Sequence, residues 1–171
     1  MATRGSLKAF QESLAARLQA AAGSEAPSAR LSFEAGDDLW LLRLEASGEV
    51  LPVPEIEHVP LTKDWLVGVA NLRGVIYGVT DFSRFLGAAP TVREPGNRLV
   101  LIGQPLAINA ALLVTRLAGL RNVAELEPIE EDASSAPWAR EAWRDRAGRV
   151  WRELDAARLL AQREFLDVAL Q

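Results

Sequence analysis

The spacing of apolar positions changes twice along the chain. Leu7, Phe10, Leu14 and Leu18, separated largely by alanine and polar residues, recur at helical intervals over Ser6–Ala22. Ser6 suits an N-cap and Gly23 a stop, and Gly23–Ser28 has the composition of a linker. The narrow, alanine-rich stripe predicts a packing arm, since a helix lying on a membrane usually carries a strongly basic polar face. From Leu31 the pattern becomes that of strands. Leu39–Leu44 is a predicted strand, Ser47-Gly48 a turn, and Val50–Val59 a second strand whose Pro52 and Pro54 confine it to an edge. Trp65–Gly87 then reads as strand, tight turn, strand. Leu66, Val67, Val69 and Leu72 precede Arg73-Gly74, and Val75, Ile76, Tyr77 and Val79 follow. Asp81 is positioned to cap a short helical turn, Phe82–Leu86, that stops at Gly87.

The segment Ala88–Asn97 reads as the loop joining two halves. Beyond it, Arg98–Ile102 is a strand, Gly103-Gln104-Pro105 a turn, and Leu106–Leu117 one long strand, with a further short strand near Leu120 and Val123. The acidic run through Glu125, Glu127, Glu130, Glu131 and Asp132 reads as a solvated loop, because it lacks the glycine turn and ligand spacing of a calcium loop. An internal echo follows. Gly74 and Asp81 are separated by six residues, as are Gly148 and Asp155. Each Asp has Arg three positions on, then an apolar pair, Phe85-Leu86 or Leu159-Leu160. The second helix is expected to run on through Phe165, Leu166 and Val168. Two small β units, each too small to bury a stable core alone, gain by packing together.

Composition narrows the chemistry. At 171 residues and 49% hydrophobic content the chain suits one domain or two subdomains sharing a core. There is no cysteine, so disulfides, thiol nucleophiles and thiolate metal sites are excluded. His58 is the single histidine, which removes multi-histidine zinc sites and leaves a Ser-His-Asp triad one possible base. Lys8 and Lys63 are the only lysines, and neither sits in a phosphate loop. A net charge of -4 argues against nucleic acid as the main partner. No apolar run approaches the roughly 18 residues of a membrane span, and the polar start has no apolar signal core. The expectation is a cytoplasmic binding protein without cofactor or metal.

A long motif, Gly68-Val69-Ala70-Asn71-Leu72-Arg73-Gly74-Val75-Ile76-Tyr77-Gly78-Val79-Thr80-Asp81-Phe82, resembles the signature of the CheW family of chemotaxis adaptors. Trp65, Ala70 and the Asp81-Phe82 ending are most similar to the PilI branch, which serves type IV pilus and twitching signalling. The resemblance covers roughly Leu39–Leu166. It implies an all-β fold of two SH3-like five-stranded barrels with terminal helices. The corresponding division is an N-terminal arm and linker at 1–29, a first barrel at about 30–90, a second at about 97–155, and a C-terminal helix at 156–171. It also implies no catalysis and two partners, a methyl-accepting chemoreceptor tip and the CheW-like regulatory domain of a CheA-type histidine kinase.

On residue type alone, Arg73 is either a solvated turn arginine or a cation aimed at a partner's carboxylates. The resemblance places it at the receptor-facing surface, with Glu55 on a flanking strand and Val53, Val69 and Val75 as an apolar groove. Asn71 and Gly74 are expected to shape the turn, Asp81 to cap, and Trp65 to anchor the loop. Trp40 and Trp151 fall inside strand patterns, whereas Trp138 and Trp143 flank the charged run Arg140–Arg146 and suit an interface. Three positions depart from the family's pattern: Gly78 replaces a common proline, Phe82 a leucine, and Val114-Thr115-Arg116-Leu117 a Val-Asp-x-Val sequence. Two rival readings remain at this level. One is a small hydrolase using Asp81 or the acidic run, and the other is a ligand-sensing barrel with a pocket between its halves.

Overall fold

The structure is a computed structural model, and it describes residues 28–130 and 136–170. The helix expected over Ser6–Ala22 lies outside the described residues. Eleven strands are described: β1 Ala29–Ala35, β2 Asp38–Arg43, β3 Ser47–Pro52, β4 Leu66–Leu72, β5 Val75–Asp81, β6 Arg98–Ile102, β7 Ala110–Val114, β8 Arg116–Asn122, β9 Glu127–Ile129, β10 Ala139–Arg144 and β11 Val150–Leu154. Three short helices accompany them, α1 Phe82–Phe85, α2 Ala156–Leu160 and α3 Arg163–Leu166. The fold is all-β, as expected.

The strands form two sheets, ordered β8-β1-β2-β11-β10-β9 and β3-β6-β7-β5-β4. Each contains one parallel junction, β2 with β11 and β5 with β7, flanked by antiparallel pairs. Glu57 and Val69 exchange both backbone hydrogen bonds across the open edges of the five-stranded sheet, whereas β9 adds to the other sheet by pairing with β10. The five-stranded sheet is thus contiguous in sequence. The other takes its middle strands from opposite ends of the chain, Leu42 pairing with Leu154. The sheets therefore do not divide at the loop after residue 90. The chain crosses from one to the other at the Leu44–Ala46 turn and again at Thr115.

Alternation explains why the central strands read as unbroken apolar runs. Leu99, Leu101, Ala111 and Leu113 point into the five-stranded barrel with Ala70, Tyr77 and Val79. Their neighbours Val100, Ile102, Leu112 and Val114 point the other way, into a core shared with Phe33, Trp40, Leu42, Phe82, Leu154 and Leu159. A strand buried on both faces shows no polar alternation. Leu41, Trp143 and Trp151 fill the second barrel.

Several local expectations are revised. The turn after β2 is Leu44–Ala46, with Ala46 N donating to Arg43 O, and Ser47-Gly48 already belong to β3. The extended segment Leu106–Leu117 is interrupted at Thr115, where β7 and β8 enter different sheets. Part of the acidic run is ordered as β9, with Pro128 opposite Trp143 on an edge that tolerates its missing donor. The C-terminal helix breaks at Gln162, whose ψ of 129° is extended. Its tail then runs beside Leu61–Lys63, Lys63 N donating to Val168 O and Leu170 N to Leu61 O. Tertiary pairing there replaces helical hydrogen bonds. Trp138 and Trp143 are buried, Trp138 within an aromatic cluster with Trp40, Phe82 and Phe85, so they are core residues of the free chain.

Candidate functional site

The hairpin β4–β5 closes through the two residues Arg73 and Gly74, between paired Leu72 and Val75. Both have positive φ, 55° and 87°, the pattern of a type I′ hairpin turn. Asn71 fixes it, its Oδ1 accepting from Gly74 N at 2.8 Å. Glycine adopts this conformation without penalty, but arginine does not. The Arg73 side chain is 77% exposed, and one Nη donates to Glu49 Oε1 at 2.6 Å. Glu49 lies on β3, the opposite edge strand, so the pair spans the seam of the barrel. It is Glu49, six residues before Glu55, that meets the arginine. The signal was present in the sequence only as an acidic residue beside the Ser47-Gly48 pair. Nothing local connected it to Arg73.

The other candidates separate. Glu55 is exposed between Val53 and Ile56, both of which pack against the five-stranded barrel's core. Val75 partners Leu72, whereas Val69 partners Gly78 on the opposite face of the hairpin. Val69 and Val75 therefore face opposite sides of the hairpin. The exposed apolar residues near Arg73 lie on alternate faces of β5 and on the neighbouring β6–β7 turn. Val75 is 43% and Ile76 54% exposed, and Leu106 in the β6–β7 turn is 50% exposed. All three lie at one end of the sheet, because β5 runs parallel to β7 with Gly78 opposite Ala110.

Behind this end lies a polar anchor that the sequence did not reveal. Glu153, on β11, is fully buried and accepts from Arg30 Nε and Arg43 Nε, each at 2.7 Å. Arg30 and Arg43 are paired across β1 and β2, yet more than a hundred positions separate them from Glu153. The carboxylate raises the pKa of Arg43 by hydrogen bonding and by its charge.

Asp81 caps α1 through Arg84 N and also accepts from Thr91 N and Thr91 Oγ1. Its two carboxylate oxygens are committed to holding the helix and the following loop. Trp65 is buried against Phe85 and Phe165, and its carbonyl accepts from Asp81 N at 2.8 Å. The echo is exact in hydrogen bonding: Asp155 caps α2 through Arg158 N, and its own N–H donates to Trp138 O at 2.8 Å. At the second hairpin tip Asp145 accepts from Ala147 N, Arg149 N, Arg149 Nε and Trp151 Nε1. Chiefly through the Trp151 hydrogen bond, its carboxyl is lowered to about 2. The two barrels are thus one design used twice, and Arg73 marks the tip of just one copy.

The model of the CheW-like domain matches residues 30–164. The chain belongs to the CheW-like domain family. Among CheW-like relatives, Protein PilI of Pseudomonas aeruginosa is 28% identical over 148 residues, covering 82% of this chain and 79% of the relative. Chemotaxis protein CheW of Rhizobium meliloti is 29% identical over 112 residues, covering 61% and 68%. The fold matches the scaffolding protein TtCheW of Thermoanaerobacter tengcongensis with a TM-score of 0.62 and 19% identity, over 74% of this chain and 88% of that one. No helix among the described residues is long and apolar enough to cross a membrane.

Proposed function

We propose that this chain is a non-catalytic adaptor coupling a methyl-accepting chemoreceptor to a CheA-type histidine kinase, in the chemosensory pathway of type IV pili. The receptor contact is the hairpin end around Arg73, Val75, Ile76 and Leu106. The observation that carries this reading is Arg73 itself, a large exposed cation held in a left-handed turn that glycine or asparagine would fill at less cost. Strain of this kind clusters at ligand-contact positions. The apolar residues beside it supply area, and the guanidinium supplies planar, multi-donor recognition of carboxylates or carbonyls. The relation to PilI supports the pilus pathway, and the CheW relatives support the receptor and kinase as partners.

The mechanism is geometric. An adaptor that holds receptor and kinase together raises their effective concentration and lets receptor state bias the kinase population. Glu55 and Val53 stand on the segment next to the tip and extend the contact. Titrating a receptor-tip hairpin and the kinase regulatory domain against wild type, Arg73→Ala and Arg73→Lys tests the proposal. Receptor affinity should fall at least tenfold in Arg73→Ala, with little recovery in Arg73→Lys and a smaller effect on the kinase. Unchanged receptor affinity in a folded Arg73→Ala protein would remove the proposed contact. Phosphatase, ATPase or esterase turnover abolished by a point substitution would remove the adaptor reading.

A further inference from the structure

A groove of about 560 Å³ runs between the two barrels, beside the buried Arg30–Glu153–Arg43 cluster. Its walls are chiefly apolar, Ala46, Pro105 and Leu106 from the five-stranded side and Ala157 and Leu160 from α2. Arg43 and Glu45 stand at the rim. Leu106 is half exposed here, although a leucine on a turn is easily replaced by a polar residue.

We infer that this groove is the seat of the chain's own N-terminal segment, Ser6–Ala22, bound in cis through Leu7, Phe10, Leu14 and Leu18. The assignment shares Leu106 with the receptor contact proposed above, so the segment and a receptor would compete at that edge of the groove. The tether favours it first. Arg30 forms part of the groove wall, and only Gly23–Ser28 lies between the apolar segment and the start of β1 at Ala29. At about 3.3–3.6 Å per residue that linker reaches roughly 20 Å or more. A tether this short holds the segment at an effective concentration of about millimolar, which a free partner seldom matches. Length agrees as well, since 17 residues in a helix would span about 25 Å. The alanines between the apolar positions let a helix approach the small walls, Ala46 and Ala157, closely.

The absence of cysteine permits a direct test in the full-length chain. The pair Leu14→Cys with Leu106→Cys should oxidise to an intrachain disulfide. Leu14→Cys with Leu120→Cys should not, although Leu120 is exposed and lies on a strand beside the same tether. Equal linkage at both sites, linkage at Leu120 alone, or linkage only between chains overturns the assignment. Hydrogen exchange gives a second readout. The double substitution Phe10→Glu, Leu14→Glu should speed exchange of the amides of Leu106, Ala107 and Ile108 at least tenfold while leaving β6 and β7 protected. Those amides bond only within their turn, to Gly103 O and Gln104 O. No change in their exchange, with β6 and β7 still protected, overturns the assignment.

Discussion

Replacing Arg73 with asparagine separates what the turn needs from what a partner needs. Both turn residues have positive φ, and Asn-Gly is the pair that such hairpins favour. An L-residue such as arginine in the left-handed region costs about 1–2 kcal/mol, much of which asparagine avoids. Against this stands the lost ion pair with Glu49. Both side chains are substantially exposed, so that pair contributes about 0.2–1 kcal/mol. The net expectation is a gain of about 0.5–1 kcal/mol. For a domain of this size that raises Tm by about 1–4 °C. Thermal unfolding followed by circular dichroism measures the gain, and titration with a receptor-tip hairpin measures the cost to binding. Arg73→Asn should be slightly more stable than wild type yet bind the receptor tip at least tenfold more weakly. A loss of more than about 0.5 kcal/mol would refute the turn argument. A stable variant with wild-type receptor affinity would refute the docking argument, and the arginine would then be a strained residue without purpose.

Removing Glu153 leaves Arg30 buried without its carboxylate, so Glu153→Ala should cost about 3–5 kcal/mol, whereas Arg43→Ala, at a half-exposed position, should cost much less; urea denaturation distinguishes them. Asp145 has a folded pKa of about 2, below its ordinary 3.8, so its contribution is complete above about pH 4 and is lost as pH falls toward 2. Asp145→Asn should flatten that part of the acid-unfolding curve. Gly68 has φ of 147°, and a Cβ there would lie 2.1 Å from Glu57 O, within the closure of the five-stranded barrel. Gly68→Ala should destabilise by about 3 kcal/mol or more, read as a lower denaturation midpoint.

The parts legible in the sequence were those encoded locally. The β4–β5 hairpin, its Asn71-Gly74 lock and the Asp81 and Asp155 caps are each contained in one short continuous stretch, where spacing and residue type suffice. What spacing could not supply was long-range pairing. The runs Leu39–Leu44 and Val150–Leu154 announce strands, but nothing in either names the other as its parallel neighbour. The apolar run Leu106–Leu117 hid the crossing at Thr115, because a strand buried on both faces looks the same in either sheet. The same limit explains the candidate surface. Arg73 was found from its turn, whereas Glu49, Leu106 and the Arg30–Glu153–Arg43 cluster come together only through closure of the barrels.

That closure has a consequence for synthesis on the ribosome. All five strands of the β3–β7 barrel emerge consecutively, so it can close as soon as β7 is clear of the exit tunnel. The β1–β2 pair, made first, must wait for β11, because Leu42 meets Leu154, 112 positions later. At about 5–20 residues per second, the hairpin holding Phe33, Trp40 and Leu42 stays without its final neighbour for roughly 5–20 s. On a crowded polysome, a neighbouring nascent chain can offer its own β1–β2 to the waiting barrel. The resulting dimer would keep every native hydrogen bond while exchanging the first strand pair between two molecules. Exchange of the β1–β2 pair is therefore the assembly error this topology permits, with the Leu44–Ala46 turn as its hinge.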